Sequence, residues 1–236
     1  MEKRLSIVGI WAGLGSKIAS SGLQCGLLAL LAFLPIGGLA LLSPKQIEAD
    51  GSTEFMLAAF LLCRFLTPPV ATLIVSYLAR RDSRLPAQQS LGSVFKNCAL
   101  PSIGLVLAVY VFGLVASLFL IFPGVAFLLA CSVVLPVLVI EGVSSPVAIK
   151  RSWELTKEKR WTLLGFFSIY LALSGLIAGA LVWSTSSDLP LLSEPLPFVQ
   201  TDAFLPLIFV GALLYSGLVV ASYEIYTQLV PTGSQE

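Results

Sequence analysis

The sequence predicts an all-α integral membrane protein, and three observations carry that prediction. First, 57% of the 236 residues are hydrophobic and only 11% are charged, with a mean hydropathy of +0.93. That is too apolar to give a water-soluble globule a wettable surface. Second, apolar runs of about 20 residues, the length that crosses about 30 Å of hydrocarbon as a helix, recur along the chain. Third, lysine and arginine gather in alternate connections between those runs, the distribution that sets membrane topology. The runs lack the strict two-residue alternation that a transmembrane barrel requires. Residues 1–236 are therefore read as one membrane domain of six spans.

Residues 1–17 form an interfacial segment. Ile7, Val8, Trp11, Leu14 and Ile18 recur at helical spacing beside charged ends, which predicts a short amphipathic helix on the inner surface. Its Gly13-Leu14-Gly15-Ser16-Lys17 is not a phosphate loop, because the order glycine-lysine-serine or threonine is missing and no strand precedes it. The first span, about 18–42, is longer than the roughly 7–15 apolar residues of a signal peptide. Gln24 also stands before Cys25 where a lipoprotein signal needs a small residue. The second span covers about 55–79. The third, about 98–121, follows a second amphipathic piece with Leu91, Val94, Phe95 and Cys98 on one face. The fourth covers 123–140, the fifth 161–183 and the sixth 203–230. Pro190, Pro195 and Pro197 exclude a long helix in the connection before the sixth.

Twelve of the 14 basic residues lie in three places: Lys3, Arg4 and Lys17; Arg80, Arg81, Arg84 and Lys96; and Lys150, Arg151, Lys157, Lys159 and Arg160. The first connection sets Lys45 against Glu48, Asp50 and Glu54, and the fifth holds Asp188, Glu194 and Asp202 with no basic residue. Both termini are thus expected in the cytoplasm. Trp11, Trp153, Trp161, Tyr223 and Tyr226 fall at the inner interface and Trp183 at the outer one, as anchors do. Gly22 with Gly26 and Gly175 with Gly179 repeat at helix-contact spacing, for packing between spans or for dimerisation. Cys25, Cys63, Cys98 and Cys131 all lie in or beside apolar runs with no CxxC spacing, and read as free packing residues.

Between the fourth and fifth spans an interfacial helix is expected over 146–160, with Ser145 as N-cap and Pro146 in the first turn. Lys150, Arg151, Lys157 and Arg160 can meet anionic head groups while Ile149, Trp153 and Leu155 cover apolar surface. Two readings stand for Lys150, Arg151, Trp153, Lys157, Arg160 and Trp161: structural anchoring, or recognition of a lipid head group or partner.

The order Pro146, Ala148-Ile149-Lys150-Arg151-Ser152-Trp153, Leu155-Thr156-Lys157 and Arg160-Trp161 resembles the signature of bacterial membrane proteins of the YciC type. It is preceded by Phe122-Pro123-Gly124 and Glu141-Gly142. The same signature occurs in the membrane domain attached to some glycerophosphoryl diester phosphodiesterases. Span order fits too, although Glu158-Lys159 replaces the small or polar residues commoner there. The resemblance implies a six-span protein of the bacterial inner (plasma) membrane; it does not imply an enzyme, because the phosphodiesterase barrel is missing.

Arg64 lies near the middle of the second span, where a guanidinium needs a partner or water. Thr67-Pro68-Pro69 just beyond it should bend or break the helix. Pro136 falls 13 residues after Pro123, as Pro68 falls 13 after Phe55. The two kinks should therefore share a depth, with Gly217 marking the corresponding point of the sixth span. That hints at three helix hairpins in pseudo-repeat around a pocket for an anionic head group or carboxylate; purely structural pairing of Arg64 is the other reading. Glu141 and Glu224, near the inner ends of their spans, are expected to pair with Lys150 or Arg151.

With no histidine in the chain, imidazole acid-base chemistry and imidazole metal ligation are impossible. No catalytic constellation, metal spacing or cofactor motif stands out, and a net charge of +1 gives no field for nucleic acid. The expectation is a non-enzymatic protein that handles or senses lipid, with membrane lipids as partners. The alternatives are an accessory subunit that binds a membrane protein or its own copy, and a secondary transporter of a small anion.

Overall fold

The computed structural model describes residues 5–41, 52–85, 90–119, 121–185 and 201–230. Among these every regular element is a helix, and five are long and apolar enough to cross a membrane. In chain order they are α1 (Ile7–Leu41), α2 (Ser52–Arg81), α3 (Leu91–Phe119), α4 (Ile121–Ala130), α5 (Val134–Ile140), α6 (Ser145–Thr156), α7 (Arg160–Thr185) and α8 (Thr201–Leu229).

The expected lead-in at 1–17 is not a separate surface helix. Ser6 caps α1 by accepting the Gly9 N–H at 3.0 Å, and α1 then runs unbroken through 35 residues, about 50 Å. The reason is a single inward stripe. Ile10, Leu14, Ser21, Cys25, Ala29 and Ala32 are all buried, while Val8 and Ile18 point outward. The stripe continues across the junction, so lead-in and span pack as one rod against α2 and α8. The second lead-in likewise merges into α3, whose first turn is capped by Ser90 accepting the Ser93 N–H at 3.1 Å.

The expected fourth span is two short helices. α4 ends at Ala130, α5 begins at Val134, and the turn between them interrupts a 17-residue apolar stretch, Gly124–Ile140, that is shorter than the other spans. In α2, by contrast, Thr67-Pro68-Pro69 neither breaks nor ends the helix, which continues to Arg81. α2 stops in a Schellman motif: Ser83 at φ 55° sends its N–H to the Arg80 carbonyl, and the Arg84 N–H reaches the Ala79 carbonyl. α5 ends with Gly142 at φ +63°, the left-handed position that glycine occupies without strain. Ser144 stands at the N-cap of α6, one residue earlier than expected, and makes no side-chain cap bond.

Candidate functional site

The break in the fourth apolar stretch explains where α6 sits. Pro136, buried in the first turn of α5, has no N–H, and its ring crowds the carbonyl four residues back. That carbonyl, on Ser132, accepts instead from the Ser222 hydroxyl of α8. The Val134 N–H turns to the Cys131 carbonyl. The Ala130 carbonyl is taken by the Ser152 hydroxyl at 2.6 Å, while the Thr156 hydroxyl, 3.4 Å from the same oxygen, donates at 2.8 Å to the Ser152 carbonyl. Both donors belong to α6, whose buried stripe is Ala148, Ser152 and Thr156. These are residues i, i+4 and i+8, one face of a helix. An unsatisfied carbonyl at this depth would be costly, so the hydroxyls fasten α6 to the break.

Fastening that face leaves the other outward. Lys150, Trp153 and Lys157 share it at helical spacing and are exposed, Trp153 to 40%. Trp161 at the start of α7 is 83% exposed. The Arg160 guanidinium lies over the Trp153 ring, 4.1 Å from its centroid, a cation–π stack. Ile149 and Leu155 pack inward as expected, but Trp153 does not cover core.

A layer of partly buried charge closes the same end of the bundle. Lys17 of α1 lies 2.5 Å from Asp82 at the end of α2 and 3.8 Å from Glu224 of α8. Tyr223 donates to Asp82 at 2.9 Å, and the Lys17 ammonium sits 5.0 Å from the centre of its ring. A negative charge at a helix C-terminus opposes the helix dipole, so the Asp82 carboxylate gains most from a lysine at hydrogen-bond distance. Gly13 makes the arrangement possible: a Cβ there would stand 2.2 Å from Glu224 Oε1.

A second group continues the layer. Arg151 Nε lies 3.5 Å from Glu141 Oε2, and Tyr226 donates to Glu141 Oε1 at 3.2 Å. Arg84 donates to the carbonyls of Val230 at 2.7 Å and Thr227 at 3.2 Å. It thereby caps the carbonyl end of α8 with a cation.

Several sequence expectations fare differently. Glu141 pairs with Arg151, but Glu224 pairs with Lys17 and not with Lys150 or Arg151, because α1 runs deeper than a surface helix would. Tyr223 and Tyr226 are fully buried hydrogen-bond donors and not interfacial anchors. Trp11 packs tilted against Phe166 and stacked on Tyr170 of α7, with centroids 5.1 and 6.3 Å away, and so joins helices inside the bundle. Gly26 meets Leu213 of α8, whereas Gly175 and Gly179 face open space. Gly217 admits the Tyr170 hydroxyl, which donates to the Leu214 carbonyl, within an unbroken α8. The four cysteines are free.

Thr67, Pro68 and Pro69 remain helical. The Thr67 carbonyl accepts from Tyr215 at 2.6 Å, and the Pro68 carbonyl from Thr72 at 3.0 Å. Buried Pro68 and buried Pro136 thus play different parts, one inside a helix and one after a break. The side chains of Arg64 and Trp183 and the connection 186–200 lie outside the described residues. Among the described residues no group of three or more His, Cys, Asp or Glu could hold a metal ion.

No family model matches the chain, and no curated protein or solved structure does either.

Proposed function

We propose that this is a six-span, non-enzymatic protein of the bacterial inner membrane, of the YciC type, that handles or senses lipid through α6. The carrying observation is the division of α6 into two faces. Ser152 and Thr156 hold one face to the Ala130 carbonyl, which leaves Lys150, Trp153 and Lys157 turned outward with Trp161 beside them. Cations interleaved with tryptophan at the end of a membrane-length helix suit an anionic head-group layer. The sixth crossing is α4 and α5 taken together, and the hairpins α1–α2, α3–α4/α5 and α7–α8 give the pseudo-repeat. Both termini lie in the cytoplasm, on the side where the basic residues gather.

Brominated lipids test this reading. In bilayers of the purified protein carrying Trp11→Phe and Trp183→Phe, bromine on phosphatidylglycerol should quench Trp153 and Trp161 more than bromine on phosphatidylcholine at equal mole fraction. Lys150→Gln with Lys157→Gln should remove the difference, and equal quenching by both lipids in the parent would refute the reading.

A second reading, an accessory subunit that receives a partner helix, is favoured by α7. Gly175 and Gly179 are open to close approach, and Leu171 and Leu176 beside them are exposed. A stoichiometric membrane protein recovered with the chain, and lost on Gly175→Leu, would support it.

A further inference from the structure

Arg160 is the cation at this end of the bundle whose unpaired donors are buried among the described residues. Lys17, Arg84 and Arg151 each have an acceptor within the protein: Asp82 and Glu224, the end of α8, and Glu141. Arg160 has none. Its Nε and Nη2 are buried and make no hydrogen bond among the described residues, although one face of the guanidinium is covered by the Trp153 ring. Nε and Nη2 form the edge of the guanidinium whose two N–H groups point the same way, the fork that fits two oxygens of one oxyanion. Buried donors are almost always satisfied, and leaving a charged pair unmet is costly. The described residues offer this edge no acceptor, and because both atoms are covered, a ligand reaches them only when the side chains around them move aside.

Its chemistry follows from the surroundings. Arg160 opens α7, a helix long and apolar enough to span a membrane, and the end of such a helix is the level at which lipid phosphates lie. Lys150, Lys157 and Lys159 stand near it in sequence, and none of them forms an ion pair among the described residues. A stack on Trp153 fixes the plane of the fork before any ligand arrives, which lowers the ordering cost of binding.

We infer that Arg160, held flat on Trp153, is a binding site for one phosphate oxyanion, bound edge-on through Nε and Nη2, with Lys157 as a supporting charge. This rests on the head-group reading of α6 and sharpens it from a basic surface to a single phosphate site. A phosphate of a lipid head group and one free in solution present the same oxygens.

The test is a 31P NMR titration of the full chain in uncharged detergent at constant ionic strength, with short-chain phosphatidylglycerol and inorganic phosphate as separate probes. Arg160→Gln should weaken binding of the responding probe by at least about tenfold. Arg160→Lys should weaken it nearly as much, since it keeps the charge and loses the fork. Arg151→Gln removes the same charge from a guanidinium already paired with Glu141, and should change affinity by less than about threefold. If Arg160→Gln fails to fold, Arg160→Lys carries the comparison.

Binding of phosphatidylglycerol with this pattern supports both the site and the lipid reading. Binding of inorganic phosphate alone, with the same pattern, supports the site and removes the lipid reading. Phosphatidylglycerol binding that survives Arg160→Lys, or falls equally with Arg151→Gln, overturns the site and leaves a general basic surface. If neither probe binds, the site is overturned.

Discussion

Replacing Ser152 by alanine and Thr156 by valine removes both hydroxyls that reach the Ala130 carbonyl, with little change in side-chain volume. Ser152 supplies the shorter bond at 2.6 Å, and Thr156 stands behind at 3.4 Å. The single changes should therefore be mild: Thr156→Val leaves the Ser152 bond in place, and in Ser152→Ala the Thr156 hydroxyl can turn from the Ser152 carbonyl, 2.8 Å away, to the Ala130 carbonyl; each is expected to destabilise by about 0.5–1.5 kcal/mol. The double change leaves a buried carbonyl with no donor and should cost about 1–3 kcal/mol in the docking of α6, more than either single change. Cys131 follows Ala130 directly and is buried and free, so it reports on this break. In a background without Cys25, Cys63 and Cys98, labelling of Cys131 by a thiol reagent under conditions of rapid opening measures the open population. The double variant should label about 5- to 150-fold faster than the parent. Thr156→Ser, which keeps a hydroxyl, should label as the parent does. Unchanged labelling in the double variant, with the same stability, would show that the hydroxyls do not hold α6 to the break.

Three further outcomes follow from the charged layer. Gly13→Ala places a Cβ 2.2 Å from Glu224 Oε1 and should destabilise by about 1–3 kcal/mol; adding Glu224→Ala should return most of that loss in a detergent unfolding assay. Lys17→Met leaves Asp82 and Glu224 without their shared cation. Because these side chains keep 29% and 12% of their exposure, solvent offsets part of the deficit, and the expected loss is about 1–3 kcal/mol, largely recovered when Asp82→Asn and Glu224→Gln are added. Ser83→Gly relieves a left-handed serine at the end of α2 and should stabilise by about 0.5–1 kcal/mol, visible as a higher Tm with unchanged oligomeric state.

Hydropathy made the helical membrane class legible, and most helix bounds came within a few residues of the apolar runs. Its failures share a physical origin. A window that averages hydropathy cannot tell a surface helix from the first turns of a long one, so the stripe through Ile10, Leu14 and Ser21 was read as two elements. Proline marks a missing donor without saying whether the chain will break: Pro68 and Pro69 stay inside α2, while Pro136 follows a turn whose carbonyls are met by Ser222, Ser152 and Thr156. Those hydroxyls were the least legible part of the site. Ala148, Ser152 and Thr156 do lie at i, i+4 and i+8, yet two of the three are polar, so a search for an apolar stripe passes over the buried face of α6. Its outward face was readable as a basic and aromatic surface. The pairing of Lys17 with Asp82 and Glu224 spans three helices distant in sequence, and the one local sign of it was a glycine at position 13.

The most direct test is a native mass spectrum of the protein released from its own membrane without exhaustive delipidation. A defined anionic phospholipid should stay bound, and should be lost when Lys150, Lys157 and Arg160 are changed together to glutamine while the fold is retained. A protein that emerges without lipid, or whose bound lipid is indifferent to those three changes, would contradict the lipid-facing role of α6.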